Sequence, residues 1–176
     1  MLEKFNSPGR AGLAGWRWTV GWSPLRKFGF EKTTVWGGQD TPYLTRWVMY
    51  LGWGTLRLHK FWRGDDDSLG PHTHPWWFVT IPLRSYCEWA FEKGARKHMN
   101  LVQAFRPHFR KASHEHIVVG PVHKTGPKSW SIDYPAKPFY TIVISGGRAA
   151  RWGFYPKPGE FVYWRDAVNH IGERKQ

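Results

Sequence analysis

Two pairs of histidines in the sequence have a spacing that suits metal coordination. His72 and His74 are separated by one residue, as are His114 and His116. In a β-strand, residues i and i+2 point to the same face, so each pair can present two imidazoles to one ion. His72 and His74 alone would hold a metal weakly, and a further ligand must come from elsewhere. We prefer His116 as this third ligand, with His114 as the alternative.

The chain offers nitrogen and oxygen ligands rather than sulfur ligands. Cys87 is its single cysteine, which excludes a multi-cysteine zinc site. Imidazole-rich sets bind several divalent transition metals, of which we prefer Fe(II), with Zn, Mn, Ni or Cu as alternatives. Other side chains could join the site or orient an imidazole through its free N–H. These candidates are Glu88, His59, His108, His114 and His123.

Short β-strands must position these histidines. From Tyr43 onward, runs of apolar, aromatic and β-branched residues alternate with Gly, Pro and polar turns, and no helical period is sustained. About seven or eight such strands indicate a β-sandwich or small barrel. Pro75 directly follows the first histidine pair, and because proline cannot donate to a strand ladder, we expect the pair near a rim. We expect the consecutive aspartates Asp65–Asp67 to form a solvated turn.

The first forty residues differ from the rest. They are rich in Gly, Trp and basic residues and show no sustained period. We therefore predict that residues 1–40 form an irregular arm or short strands wrapping a β-barrel domain at residues 41–176. A chain of 176 residues fits this single-domain organisation.

The charge of the chain points to an anionic partner. Lys and Arg number 26 against 13 Asp and Glu, which gives a net charge of +13. Such a charge favours encounters with nucleic acid, although a basic enzyme without such a partner explains it equally well. The sequence has neither the pattern of a signal peptide nor an apolar run of 18 residues, so we expect a cytoplasmic protein without membrane contact.

Several segments together resemble the largely uncharacterised cupin-like proteins of bacteriophages and bacteria. The resemblance extends from Tyr43 to Trp164. It implies an all-β, cupin-like double-stranded β-helix, also called a jelly-roll barrel, with an irregular N-terminal extension. The segments that carry it are Leu56–Phe61, Asp65–Asp67, His72–Phe78 with Tyr86 and Glu88 following, Thr141–Gly146 and Arg151–Phe154.

The resemblance also implies a set of metal ligands: a His-x-His pair, a glutamate shortly after it, and a histidine from the second half of the barrel. His72 and His74 match the pair. Phe78 and Val79 stand where the glutamate is usual, and Glu88 lies further on. A three-histidine site with His116, like that of the thiol dioxygenase branch of cupins, accommodates this departure.

These inferences predict an oxygenase-type enzyme that acts on an anionic small molecule or nucleotide. Glu88 would orient an imidazole or act as a general base, and Arg151 or Arg84 would clamp the anionic group. The alternative is a non-catalytic basic β-barrel that binds nucleic acid or nucleotides, with a structural metal site. Either protein could form a homodimer.

Overall fold

The computed structural model describes residues 2–6, 13–23, 26–36, 41–65, 67–133, 137–147, 149–164 and 166. In these residues the regular structure is almost entirely β. A short 3₁₀ turn lies at Asp67–Leu69. The strands are β1 (Leu2–Asn6), β2 (Leu13–Ser23), β3 (Arg26–Val35), β4 (Leu44–Leu51), β5 (Thr55–Phe61), β6 (Phe78–Pro82), β7 (Tyr86–Glu92), β8 (Ala95–Val102), β9 (His108–Arg110), β10 (Glu115–Lys124), β11 (Trp130–Ile132), β12 (Phe139–Ser145), β13 (Gly153–Lys157) and β14 (Glu160–Tyr163).

The strands form two main antiparallel sheets and a hairpin. The large sheet has the order β1-β2-β3-β4-β5-β12-β6-β9, and the small sheet has the order β11-β10-β7-β8. His72 forms a bridge to His116 of β10 on one side and to Phe154 of β13 on the other, which links the small sheet to the β13-β14 hairpin. Since β5 pairs with β12 rather than with β6, and β10 returns to pair with β7, the chain winds as a jelly roll. The predicted all-β jelly-roll fold is confirmed.

Alternation of buried and more exposed residues along β6 and β12 contributes to the core between the sheets. In β12, every second residue from Phe139 to Ser145 is buried. Phe139 stacks on Phe61 of β5 with ring centroids 4.9 Å apart, and it also contacts Tyr86 of the small sheet. These aromatic contacts hold the large and small sheets together at one end of the space between them.

We expected residues 1–40 to form an irregular arm or short strands, and the strands that their described part forms include two of 11 and 10 residues. These are β2 and β3, and β3 pairs with β4 in continuous register from Phe28 opposite Leu51 to Val35 opposite Leu44. The large sheet therefore continues without a break into the N-terminal region. The sequence analysis missed the alternation of these strands because apolar residues usually mark the buried face of a strand. Here large aromatic side chains such as Trp18 point outward and are exposed.

Two glycines within these strands also hid the pattern, since glycine usually marks a turn. A Cβ on Gly15 would lie 1.9 Å from the carbonyl oxygen of Lys32, and a Cβ on Gly29 would lie 2.0 Å from that of Trp18. The neighbouring backbones approach too closely for any side chain at these positions.

No helix in the described part of the chain is long and apolar enough to cross a membrane.

Candidate metal centre

Three imidazoles converge between the sheets. His72 and His74 lie in the segment between β5 and β6, and His116 lies in β10. The backbones of His72 and His116 exchange two hydrogen bonds of 3.2 Å. The ring centroids are 5.0 Å apart for His72 and His74, 4.7 Å for His72 and His116, and 5.1 Å for His74 and His116. The predicted three residues therefore form a compact triangle.

The strand-like conformation of this segment places both imidazoles of the pair on one side. Thr73, between them, is buried and turns away to the β13 side. Its N–H donates to the carbonyl of Gly153 at 3.0 Å, and its hydroxyl accepts from the Gly153 N–H at 3.2 Å. The Pro75 carbonyl accepts hydrogen bonds from the N–H groups of Ala149 and Ala150. Hydrogen bonds at Thr73 and at Pro75 therefore fix the segment that carries the two histidines, so that the side chains of His72 and His74 point into the cavity.

Glu88 lies behind His116 and fixes its tautomer. It has no solvent exposure, and its carboxylate accepts from His116 Nδ1 at 2.8 Å, His114 Nε2 at 3.2 Å and Arg110 Nη2 at 2.7 Å. Burial raises the pKa of Glu88, but His116, His114 and Arg110 outweigh burial and hold this pKa far below its usual range. Because an ionised carboxylate only accepts, Nδ1 of His116 carries the proton and Nε2 keeps a free lone pair.

Asp65 has a similar position beside His72, and sequence reasoning missed it. Its carboxylate oxygen lies 3.7 Å from His72 Nδ1 and accepts the backbone N–H of Val118. The side chain is 8% exposed, so our expectation of a solvated turn is wrong at this position. Asp66 lies outside the described residues. The side chain of Asp65 lies in the cavity wall, where its carboxylate accepts the backbone N–H of Val118 in β10.

His72 and His74 are in the neutral form that binds metal. Burial lowers the pKa of His72 to about 4, although the charge of Asp65 partly opposes this. Burial also puts the pKa of His74 well below its usual range, with further lowering by the neighbouring imidazoles. Neutral imidazole is the ligand form of histidine, so both side chains have lone pairs available at pH 7.

The distances fit a transition metal. Nε2 of His74 lies 3.0 Å from Nε2 of His116. Two nitrogens bound at ~2.1 Å and at a right angle to each other would be about 3.0 Å apart. One ligand atom from each of the three histidines lies within 4.8 Å of the other two. The donor set and its spacing therefore suit one ion.

A second group of possible ligands shares His116 but fits less well. Glu88, His114 and His116 also meet the distance condition. However, Arg110 donates two hydrogen bonds to the same Glu88 oxygen that faces His114, at 2.7 and 3.2 Å. A metal there would lie beside a guanidinium and compete with it, so we favour the group of three histidines.

The three histidines open into a cavity of about 200 Å³ between the two sheets. Its wall is mainly aromatic and aliphatic, with a few polar side chains from β4 and β5. Glu88 is not among the lining residues, so its position suits orientation of His116 and not proton transfer to a bound molecule. The polar lining residues besides the three histidines are Arg46, Arg57, His59, Asp65, Thr80 and Thr141.

Of the other candidates from the sequence, His59 lines this cavity, whereas Arg84, Arg151, His108 and His123 do not. The side chain of Arg151 is exposed and is not part of the lining, and Arg84 forms an ion pair with Asp133. His123 also contacts Asp133, and His108 contacts the carbonyl of Gln103. Neither arginine that we expected to clamp an anion is therefore placed to do so. The arginines in the cavity wall are Arg46 and Arg57, which the sequence analysis did not single out.

Comparisons with known proteins find distant structural similarity only. No protein family model matches the chain, and no curated protein matches it. A cupin-2 domain protein from Rhodospirillum rubrum is similar with a TM-score of 0.44 and 12% identity, over 97% of this chain and 95% of that chain. A cupin domain from Bordetella pertussis is similar with a TM-score of 0.42 and 13% identity, over 64% of this chain and 100% of that chain.

The iron(II) form of HppE is similar with a TM-score of 0.46 and 9% identity. The match covers 65% of this chain, and the chain spans about half of that protein, 56% of its length. What indicates a metal site in this protein is the geometry of its own histidines.

Proposed function

We propose that this protein is a metal-dependent enzyme of the oxygenase type, with a divalent transition metal, preferably Fe(II), held by His72, His74 and His116. The observation that carries the proposal is the convergence of three imidazoles on one cavity, with two Nε2 atoms 3.0 Å apart. A metal held there would supply Lewis acidity and, if it is iron, redox chemistry.

The surrounding residues of the chain prepare the site for such a metal. Glu88 keeps the proton of His116 on Nδ1 and its Nε2 lone pair free. Asp65 lies 3.7 Å from Nδ1 of His72 and acts on that ring mainly through its charge. The wall of the cavity is mainly apolar, so a small molecule bound there would lie against the histidines among aromatic and aliphatic side chains.

An enzyme site and a structural metal site differ in whether other ligands can reach the ion. Three protein ligands leave coordination positions open, whereas a structural site is closed by four. We would load metal-stripped protein with Co(II) and record its visible absorption spectrum with and without azide. A spectral change with azide is expected for an open site. A bound Co(II) whose spectrum azide leaves unchanged would contradict the enzyme proposal and support the structural alternative.

A second candidate function, binding of single-stranded nucleic acid, is favoured by the outer face of β2 to β5. The residues that point outward from these strands include four aromatic side chains that are 40% to 51% exposed: Trp16, Trp18, Phe28 and Phe30. None of the outward residues that the structure describes on these strands is acidic, and Lys32 pairs with Trp16 and Trp47. Exposed rings interleaved with lysines suit base stacking and phosphate contact.

The test is retention on immobilised oligo-dT at increasing salt, with the Trp16→Ala/Trp18→Ala variant beside the wild type. Binding that weakens steeply with salt and is lost in the variant is expected. Absence of binding at low salt, or concentration-dependent self-association through the same face instead, would contradict this second function.

A further inference from the structure

Arg57 is a buried cation without a carboxylate partner in the described part of the chain. It points inward from β5 and lines the cavity, with 8% exposure. Its Nε donates to the Thr55 hydroxyl at 2.7 Å, and its guanidinium carbon lies 4.1 Å from the ring centroid of Trp76. Burial lowers the pKa of Arg57 to about 9, which leaves the side chain protonated at pH 7. A buried charge of this kind is costly unless something pairs with it.

The neighbouring arginine shows the contrast. Arg46 of β4 also lines the cavity, but its Nη2 lies 3.0 Å from a carboxylate oxygen of Glu31. Arg17 contacts the other oxygen of the same carboxylate at 2.6 Å. Arg46 is therefore paired with a carboxylate, which it shares with Arg17, whereas Arg57 faces the cavity without an ion pair to a carboxylate in the described part of the chain.

His59, two residues further along β5, offers a second unused polar atom. It lies on the same inward face as Arg57 and lines the same cavity. Its Nε2 is buried and has no hydrogen-bond partner. Burial puts the pKa of His59 well below its usual range, so the imidazole is neutral. A buried nitrogen of this kind costs free energy unless a ligand or a water molecule satisfies it.

These two groups and the three histidines belong to one space. Burial is the main cause of the low pKa of His74, and the charge of Arg57 lowers it further, which places the guanidinium within electrostatic reach of the imidazole. The lining of this space is otherwise mainly apolar and includes Phe61, Phe78 and Val143. A ligand that pairs with Arg57 and packs against this lining has an anionic end and an apolar body.

The volume limits the size of that ligand. At ~30 Å³ for each water molecule, about 200 Å³ corresponds to about seven waters. Cavities that bury drug-sized ligands are larger, at ~300 to 1,000 Å³. The volume lies below that range, which favours the small-molecule version of our expectation over the nucleotide version.

We propose that the cavity binds a small organic monocarboxylate, whose carboxylate accepts hydrogen bonds from Arg57 and His59 and whose apolar body extends toward the three histidines. This deepens the proposed function by naming its substrate class. Only the reaction of the bound carboxylate depends on the proposed function. Its binding does not, because a carboxylate can bind to Arg57 with or without a metal. The planar guanidinium offers paired donors that match a carboxylate.

The experiment compares benzoate with benzamide, a neutral molecule of nearly the same shape, by calorimetric titration of metal-free and metal-loaded protein. In both forms of the wild type, benzoate is expected to bind at least tenfold more tightly than benzamide. In Arg57→Met, benzoate affinity should fall at least tenfold and benzamide affinity should stay the same. Arg57→Lys keeps the charge and should have an intermediate affinity for benzoate. Arg106→Met, which removes an exposed arginine, is the matched control and should bind both probes as the wild type does.

Two results would overturn the monocarboxylate proposal: equal affinity of the wild type for the two probes, or an undiminished benzoate affinity in Arg57→Met. If Arg57→Met does not fold, the comparison of the probes in the wild type and in Arg57→Lys decides the matter. The metal titration is read separately. If the protein binds metal but does not prefer benzoate, only the carboxylate site is overturned. If it prefers benzoate through Arg57 but does not bind metal, only the proposed function is overturned.

Discussion

The carboxylate of Glu88 accepts a hydrogen bond from Nδ1 of His116 at 2.8 Å, and it lies on the side of that ring away from His74 Nε2. The bond joins two neighbouring strands of the small sheet, β7 and β10. It makes the orientation of one candidate ligand depend on a fully buried carboxylate. A metal site built in this way should be sensitive to a residue that never touches the metal.

We therefore expect Glu88→Gln to weaken metal binding about 10- to 100-fold, because the amide lacks the charge that fixes the proton of His116. Competition with a chromophoric chelator measures this affinity. Glu115→Gln is the matched control. Glu115 is also buried, but it accepts the backbone N–H groups of Lys93 and Gly94 and lies outside the candidate site. Equal metal affinities for the Glu88 and Glu115 variants would show that Glu88 does not orient His116.

A weaker effect is expected for Asp65→Asn. The distance of 3.7 Å between Asp65 and His72 Nδ1 is longer than a hydrogen bond, so the carboxylate acts on the ring mainly through its charge. The asparagine side chain can still accept the N–H of Val118, which preserves the local backbone. Metal affinity should fall by less than in Glu88→Gln. Asp133→Asn, remote from the cavity, should leave it unchanged. A loss as large as that of His72→Ala would instead indicate that Asp65 is itself a ligand.

The buried Glu31 should make stability depend on pH in acid. Arg17, Arg46, Thr33 and Tyr50 all donate to its carboxylate. Burial raises the pKa of Glu31, but these partners outweigh burial and lower it from 4.5 to about 2. A lowered carboxyl pKa stabilises the fold above the unfolded pKa, and this stabilisation is lost as the pH falls from 4.5 toward 2.

Glu31→Gln should therefore cost about 3 kcal/mol of unfolding free energy at pH 7, and the difference from the wild type should shrink as the pH falls below 4.5. Urea unfolding of both proteins at pH 7, 4.5 and 3 measures it. A difference that stays constant or grows over this range would rule out an ionised, strongly paired Glu31.

The N-terminal strands can be tested through Gly29. Its neighbouring backbone leaves no room for a side chain, because a Cβ would lie 2.0 Å from the carbonyl oxygen of Trp18. Gly29→Ala should destabilise the protein by about 1–3 kcal/mol or more in thermal or urea unfolding. Gly147→Ala is the control, since its Cβ would meet its nearest described neighbour at 3.9 Å. Similar stabilities for the two variants would be inconsistent with the pairing of β2 and β3.

The sequence predicted the three histidines of the candidate site better than the residues around them, such as Asp65 and Arg57. The i, i+2 spacing of His72 and His74 makes both side chains point in the same direction once the segment is extended. His116 could be chosen as the third ligand because it belongs to a second histidine pair with this spacing on another predicted strand. The pairing of His72 with His116 across the small sheet then brings the rings together. Local pattern was sufficient here because strand geometry is regular.

The arginine that lines the cavity beside the histidines could not be predicted in the same way. Arg151 and Arg84 were chosen from the sequence, but the structure places Arg57 in the cavity. Which arginine faces the histidines depends on the register of β5 against β12 and on the packing of two sheets, which no local pattern encodes. Inward alternation along β5, with Thr55, Arg57, His59 and Phe61 on one face, was the signal that could have identified Arg57.

The measurement that tests the central claim most directly is the metal content of the protein purified without chelator, with the His72→Ala/His74→Ala double variant treated identically. We predict about one transition-metal ion per chain in the wild type, as purified or after loading with Fe(II), and only trace metal in the folded double variant. Trace metal in the wild type under both conditions, or equal metal content in the two proteins, would contradict a metal site at His72, His74 and His116.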